Sequence, residues 1–204
     1  GTGTTVAFLI DALAERIAAG LRIRAVATSL ATEAHCHVRG IACEPFATLD
    51  AVDLAIDGVD EIDADLRAIK GGGGALLREK VVGEAAARMI AIADRSKQVA
   101  MLGGHPVPLE VLEFALGFVG ARVAALGGEA RRRAGALTDQ GNPLLDCRFG
   151  PIADPERLAA QLQAIPGVFA EGLFVREIDA LCIATESGVR WQERSDDPRS
   201  TAGA

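Results

Sequence analysis

Asp57, Asp60, Lys70, four successive glycines and Glu79 fall within one stretch, DGVDEIDADLRAIKGGGGALLREK, running from residue 57 to residue 80. Residues of these types can move protons. A carboxylate can take a proton from carbon or oxygen, a lysine can hold a developing oxygen anion, and glycines let backbone N–H groups approach a ligand closely. Two plainer readings compete. Asp57, Asp60, Glu61, Asp63 and Asp65 could form a solvated acidic loop or a calcium site, but their spacing does not fit the D-x-D-x-D-G…E loop. The glycines could be a linker, yet the run is short and pinned between Lys70 and a helix, so close approach of Gly71, Gly72 and Gly73 to a ligand fits better.

Glu79 separates catalysis from binding. On a helix starting near Gly74 it shares its face with Ala75, Leu76, Val82, Gly83 and Ala86, while Arg78 and Lys80 point elsewhere. A carboxylate on that apolar stripe loses its water, and its pKa should rise toward neutrality, as suits a general base. The competing reading is an exposed glutamate paired with a neighbouring Arg or Lys.

A second candidate is GTGTT at residues 1–5, directly before a helix. The N–H groups and positive dipole end of that helix suit an anion, and Thr2, Gly3, Thr4 and Thr5 add hydroxyls and a close turn. An ordinary helix cap explains the same residues, and a lone G-x-G lacks the third glycine of a dinucleotide fingerprint. A phosphate monoester suits the turn better than a dinucleotide, because no acidic residue ends the next strand to take a ribose hydroxyl. Further polar residues stand where strands end: Thr28 and Ser29, Asp57, and Asp94 with Ser96 and Lys97.

The elements that must position these residues read as alternating strands and helices. Apolar periodicity predicts helices over 6–19, 31–39 and 74–87, with Gly20 and Gly40 as stops, and extended segments over 22–29, 52–57 and 89–94. Strands apolar on both faces imply an α/β fold, a Rossmann-like parallel sheet flanked by helices. From Val107 the pattern changes to strand 107–113, helix 115–126, strands 129–134 and 143–149, helix 155–165 and strand 168–174. That order is βαββαβ, an inserted ferredoxin-like α+β lobe. DALCIATESG is expected to return to the first sheet. The expected organisation is a catalytic domain from 1–106 plus 178–191, the inserted lobe at 107–177 and a polar tail at 192–204.

Composition narrows the function. The 204 residues are 50% hydrophobic with a net charge of −7 and a pI near 5.0, which suits a globular protein and argues against a nucleic-acid partner. No run of 18 apolar residues suggests a membrane span. Cys36, Cys43, Cys147 and Cys182 show no C-x-x-C spacing and read as reduced packing residues, consistent with the cytoplasm. His35 and His37 would point in nearly opposite directions on a helix, so no metal site is expected around Cys36 and Cys43. His105, before Pro106, reads as a hinge-loop residue.

The chain resembles the type A ribose-5-phosphate isomerases from Gly1 to about Trp191. GTGTT, TSLAT, DGVDEID, KGGGGALLREK, ADRSKQV, PVPLEVLEFA, LTDQGNPLLD and IPGVFAEGLF occur in that family's order. The resemblance implies that Thr2 to Thr5 and Lys97 hold a sugar phosphate. It also implies that Asp57, Gly58, Val59, Asp60 and Lys70 to Gly73 line the sugar, with Glu79 as the proton acceptor. An aldose–ketose isomerisation through an enediolate would need that single base, with Asp57 or Asp60 moving the hydroxyl proton. The resemblance further implies no metal or organic cofactor, and self-association as a homodimer, with a tetramer as the larger alternative. Thr4 stands where Ser is usual, Gln140 where Asn is usual, and Leu112-Glu113 in a stretch that usually ends in Pro. A helix and a central strand are expected upstream of GTGTT. The alternative from another class is a non-catalytic sugar-phosphate sensor, since related folds also bind phosphosugars to regulate.

Overall fold

The computed structural model describes residues 3–195. Helix α1 (Thr4–Ala18) buries Val6 and Ile10, against which Leu13, Ala14 and Ile17 pack as a stripe at helical spacing. Helix α2 (Leu30–Val38) starts on Ser29, whose hydroxyl accepts the Thr32 N–H at 3.1 Å. Both helices stop at the expected glycines: Gly20 and Gly40 have φ of 105° and 74°, and the following N–H returns to a carbonyl of the last turn.

Among the described residues, eleven strands form three sheets. The first sheet holds β1 (Ala55–Gly58), β4 (Met89–Asp94), β10 (Ala180–Thr185) and β11 (Gly188–Glu193), in the order β1-β4-β10-β11. The first three are parallel and β11 is an antiparallel edge. A small sheet joins β2 (Glu61–Ile62), β3 (Ala68–Ile69) and β9 (Leu173–Phe174). The third contains β5 (Val107–Val111), β6 (Glu129–Leu137), β7 (Pro143–Arg148) and β8 (Val168–Glu171), ordered β6-β7-β5-β8 and antiparallel throughout. With α4 (Leu116–Ala125) and α5 (Pro155–Gln163), this third sheet has the expected βαββαβ order.

The small sheet joins the two apolar cores. Ala68 and Phe174 lie in the core of the parallel sheet, whereas their neighbours Ile69 and Leu173 lie in the core of the antiparallel one. Alternation along a strand sends adjacent residues to opposite faces, which is how two-residue strands serve both.

Four expectations change. Segment 22–29 is not a strand: beyond one bridge between Ala25 and Cys43 it has no ladder, and Leu21 and Ile23 remain exposed. The predicted strand 168–174 divides at Gly172 into β8 and β9. Gly172 N–H donates to Pro108 O at 2.8 Å and its carbonyl accepts from Lys70 N at 2.9 Å, so the chain changes sheets there. The expected polar tail 192–204 begins inside a strand, and its residues 196–204 lie outside the described residues. Gln192 and Glu193 belong to β11, and the Arg194 guanidinium donates to the carbonyls of Ile178, Asp65 and Leu66. The stretch before Pro106 is no hinge, because the buried Glu61 carboxylate accepts the N–H groups of Gly103 (2.9 Å) and His105 (2.7 Å).

Candidate active site

The parallel strands deliver the chemistry at their carboxyl ends, the usual place for ligands in open α/β sheets. There a cavity of about 310 Å³ gathers five segments. The start of α1 contributes Gly3, Thr4, Thr5 and Val6; the end of β1 contributes Asp57, Gly58, Val59 and Asp60. The glycine turn contributes Lys70, Gly71, Gly72 and Gly73, and Glu79 and Lys97 complete the wall. Thr2 falls outside the described residues. Every other predicted site residue is in this one cavity. A larger, more open hollow of about 760 Å³ lies beside α3 (Leu76–Ala85) and α5, but its buried carboxylates Glu171 and Glu177 both pair with the half-buried Lys80.

Lys70 organises the charge. Its ammonium is 2.9 Å from Asp57 Oδ2 and 3.3 Å from Glu79 Oε2, and it donates to Gly58 O at 2.5 Å. All three side chains are buried, with Lys70 only 2% exposed. Beneath the ammonium lies the Phe174 ring, its centroid 5.2 Å away. Among the described residues none donates a hydrogen bond to Glu79 Oε2, and its polar contact there is the ion pair with Lys70.

This arrangement drives the two carboxylates apart in acidity. Burial and the nearby Asp57 charge raise Glu79 above the ordinary carboxylate range, and Lys70 offsets this only in part. Burial works against Asp57 too, but the Lys70 ammonium and the Gly58 N–H, 2.7 Å from Oδ1, hold it below its ordinary value. Lys70 itself is raised: burial opposes its charge, and the two carboxylates outweigh that penalty. One carboxylate thus stays ionised while the other is tuned to exchange a proton. The helix face expected to desolvate Glu79 does so, because Ala75, Leu76, Val82 and Ala86 are buried with it. Its charged neighbours pair elsewhere, Arg78 with Asp139 and Lys80 with Glu171.

The acidic loop splits by role. Asp63 accepts the N–H groups of Asp65 and Arg67 and the Arg67 side chain, closing a turn in which Leu66 has φ of 59°. Asp60 instead accepts the Gly72 N–H at 2.8 Å. The glycines are required by space: a Cβ on Gly72 would stand 2.7 Å from Asp60 Oδ1, and one on Gly71, at φ of 95°, would stand 2.7 Å from Leu76 Cβ. Asp94 is a local cap for Ser96 N–H at 2.7 Å rather than a cavity residue. Thr28 and Ser29 are buried at the head of α2 and do not line the cavity. Among the described residues no cluster of His, Cys, Asp and Glu could hold a metal, and no helix is long and apolar enough to cross a membrane. His35 instead meets Asp11 at 3.0 Å.

Two contacts escaped the sequence reading. Val6 lines the cavity from α1, inside a helix whose apolar stripe points to the core. Arg133 on β6 reaches across from the antiparallel sheet, donating to Gly72 O at 2.9 Å while its fork grips Asp146 at 3.0 and 2.5 Å. In the run EARRRAG nothing distinguishes Arg133 from its neighbours, since the distinction depends on sheet register.

A desolvated glutamate, a lysine between two carboxylates, a glycine turn and a helix N-terminus around one cavity mark an α/β enzyme site equipped for proton transfer. Comparison with known proteins makes the class particular. The sequence profile of the family described as ribose 5-phosphate isomerase A (phosphoriboisomerase A) matches residues 24–188. Ribose-5-phosphate isomerase A of Sphingopyxis alaskensis is 52% identical over 200 residues, covering 96% of this chain and 88% of that protein. The relative of that name from Methylorubrum extorquens is 48% identical over 199 residues, covering 92% and 84%. The crystal structure of ribose 5 phosphate isomerase A from Neisseria gonorrhoeae superposes with a TM-score of 0.91 at 35% identity, covering 96% of this chain and 87% of that one. A D-ribose-5-phosphate isomerase in complex with phospho-erythronic acid gives 0.92 at 34%, covering 95% and 89%. The chain belongs to the ribose-5-phosphate isomerase A family.

Proposed function

We propose that this chain interconverts D-ribose 5-phosphate and D-ribulose 5-phosphate through an enediolate, with Glu79 as the base. The observation that carries this reading is the buried Glu79 carboxylate, raised in pKa and facing the same cavity as Lys70 and the glycine turn. Glu79 takes the C2 proton of the open-chain aldose and returns it to C1. The N–H groups of the glycine turn and the nearby Lys70 charge stabilise the oxygen that becomes negative, a preorganised donor being worth about 3 kcal/mol. Both oxygens of Asp57 are committed, to Lys70 and to Gly58 N–H, so Asp60 carries the O2 hydroxyl proton to O1 and assists ring opening. The first turn of α1, with Thr4 and Thr5, and Lys97 hold the phosphate. A desolvated base serves no purpose in a sensor, and no observation favours that alternative.

The reaction belongs to the non-oxidative pentose phosphate pathway, and we assign the chain to the cytoplasm as a homodimer. The direct experiment measures conversion of ribose 5-phosphate to ribulose 5-phosphate by the purified chain, alongside unphosphorylated ribose. Turnover of the phosphorylated sugar alone is expected; no turnover of either would refute the assignment.

A further inference from the structure

We propose that Arg133, on β6 of the antiparallel sheet, is a positioning residue for this reaction: it fixes and polarises the Gly71–Gly73 turn, whose Gly72 N–H holds Asp60 and whose Gly73 lines the cavity. The inference rests on the reading of the cavity given above. Arg133 forms no bond to substrate and moves no proton, and acts only through the backbone it holds.

The geometry supports a specific effect rather than general bracing. Arg133 Nη1 donates to Gly72 O at 2.9 Å and to Gly71 O at 3.4 Å. The Gly71 carbonyl belongs to the same peptide group as the Gly72 N–H, which donates to Asp60 Oδ2 at 2.8 Å. The Gly72 carbonyl belongs to the same peptide group as the Gly73 N–H, at a residue that lines the cavity. A cation on the carbonyl oxygen draws electron density through the amide and makes the N–H on its other side a stronger donor. The contact at 2.9 Å fixes the Gly72–Gly73 peptide plane, and the Gly71 carbonyl, which also accepts the Gly74 N–H at 3.0 Å, is held by Arg133 more weakly.

The turn needs an external anchor. Close contacts to Asp60 and Leu76 leave no room for side chains at Gly72 and Gly71, so only backbone contacts can hold it. The guanidinium is anchored in turn. Its Nε and Nη2 form a two-pronged pair with Asp146 on β7, which keeps the charge on the carbonyls and out of the cavity. Arg131 and Arg132, next to it in sequence, pair with Glu129 and Glu113 at the surface. Lysine cannot reproduce the arrangement, because one ammonium lacks the planar fork that grips a carboxylate and a carbonyl together.

The test compares wild type with Arg133→Gln and Arg133→Lys. It reads kcat and KM for ribose 5-phosphate, the melting temperature, and affinity for phospho-erythronic acid, a four-carbon aldonic acid whose planar carboxylate mimics the charged enediolate. Arg133→Gln is expected to lower kcat by about 10- to 100-fold, the scale of groups that orient a reacting shell. KM should change by less than about threefold, and affinity for the analogue should fall roughly as kcat does, because transition-state contacts alone are weakened. Arg133→Lys should fall between. A purely structural role would reduce the folded fraction without changing the affinity of the remaining protein for the analogue, so lost kcat at unchanged analogue affinity overturns the proposal. Wild-type kcat in Arg133→Gln overturns it as well. Should Arg133→Gln fail to fold, Arg133→Lys decides alone: a parallel loss of kcat and analogue affinity supports the proposal and wild-type values overturn it. A wild-type protein with no isomerase activity removes the functional reading and this inference together, whereas an active wild type with unaffected variants removes only the inference.

Discussion

Replacing Lys70 with Met keeps a side chain of similar length and removes the ammonium that lies between two buried carboxylates. Lys70, Asp57 and Glu79 are 2%, 7% and 4% exposed at their side chains. Removing one partner of a buried pair costs about 3–5 kcal/mol, because an uncompensated charge stays in the interior. At about 2–4 °C per kcal/mol for a chain of this size, the melting temperature should fall by about 6–20 °C. The loss has a definite pH dependence. In the wild type, Lys70 holds Asp57 below its ordinary pKa, so this pair contributes stability above the unfolded Asp value and loses it as pH falls. Without Lys70 both folded carboxyls lie above their unfolded values, and their contribution is instead lost as pH rises. Lys70→Met should therefore be most destabilised near pH 8 and recover toward pH 5. Adding Glu79→Gln should restore part of the loss at pH 8 by removing one of the facing charges. Thermal melts followed by circular dichroism at both pH values test this. A loss under about 1 kcal/mol at pH 8, or the same loss at both pH values, would refute the reasoning.

Gly72→Ala forces a Cβ to within 2.7 Å of Asp60 Oδ1, and a displaced carboxylate of this kind should lower kcat/KM by about 100-fold in steady-state assays. Because Glu79 must be ionised to act, kcat/KM should rise with pH through a midpoint above 4.5, and a profile flat from pH 4.5 to 8 would contradict the raised pKa. EDTA should leave turnover unchanged, as the proton transfers are assigned to side chains; activity lost to chelation and restored by a single divalent metal would contradict this.

Much of this site is legible in sequence because its parts are contiguous. Asp57 to Asp60, Lys70 to Gly73 and Glu79 each sit within a few residues of a strand end or a helix start, so local pattern places them. The strand at Met89–Asp94 falls on its expected bounds for the same reason, being buried between neighbours on both sides. What stayed hidden depends on distant pairing. Strands β2, β3 and β9 have two residues each, too few for any period, and the break at Gly172 becomes visible only once Lys70 and Pro108 lie against it. Edge strand β11 is exposed along almost its whole length, and GVRWQE offers only Val189 and Trp191 as an alternating pair, too short a pattern to mark it. Glu61 and Asp63 look like chemistry in sequence, and the backbone groups they cap are revealed only by the fold.

The central claim is that Glu79 carries the proton. The measurement that tests it most directly compares ribose 5-phosphate turnover and ribose 5-phosphate binding in wild type and Glu79→Gln. The substitution keeps the side chain's shape and removes its basicity, so kcat should fall by about 100- to 10,000-fold while affinity for the sugar phosphate stays within a few-fold of wild type. Turnover by Glu79→Gln within about threefold of wild type would contradict the account and move the base elsewhere.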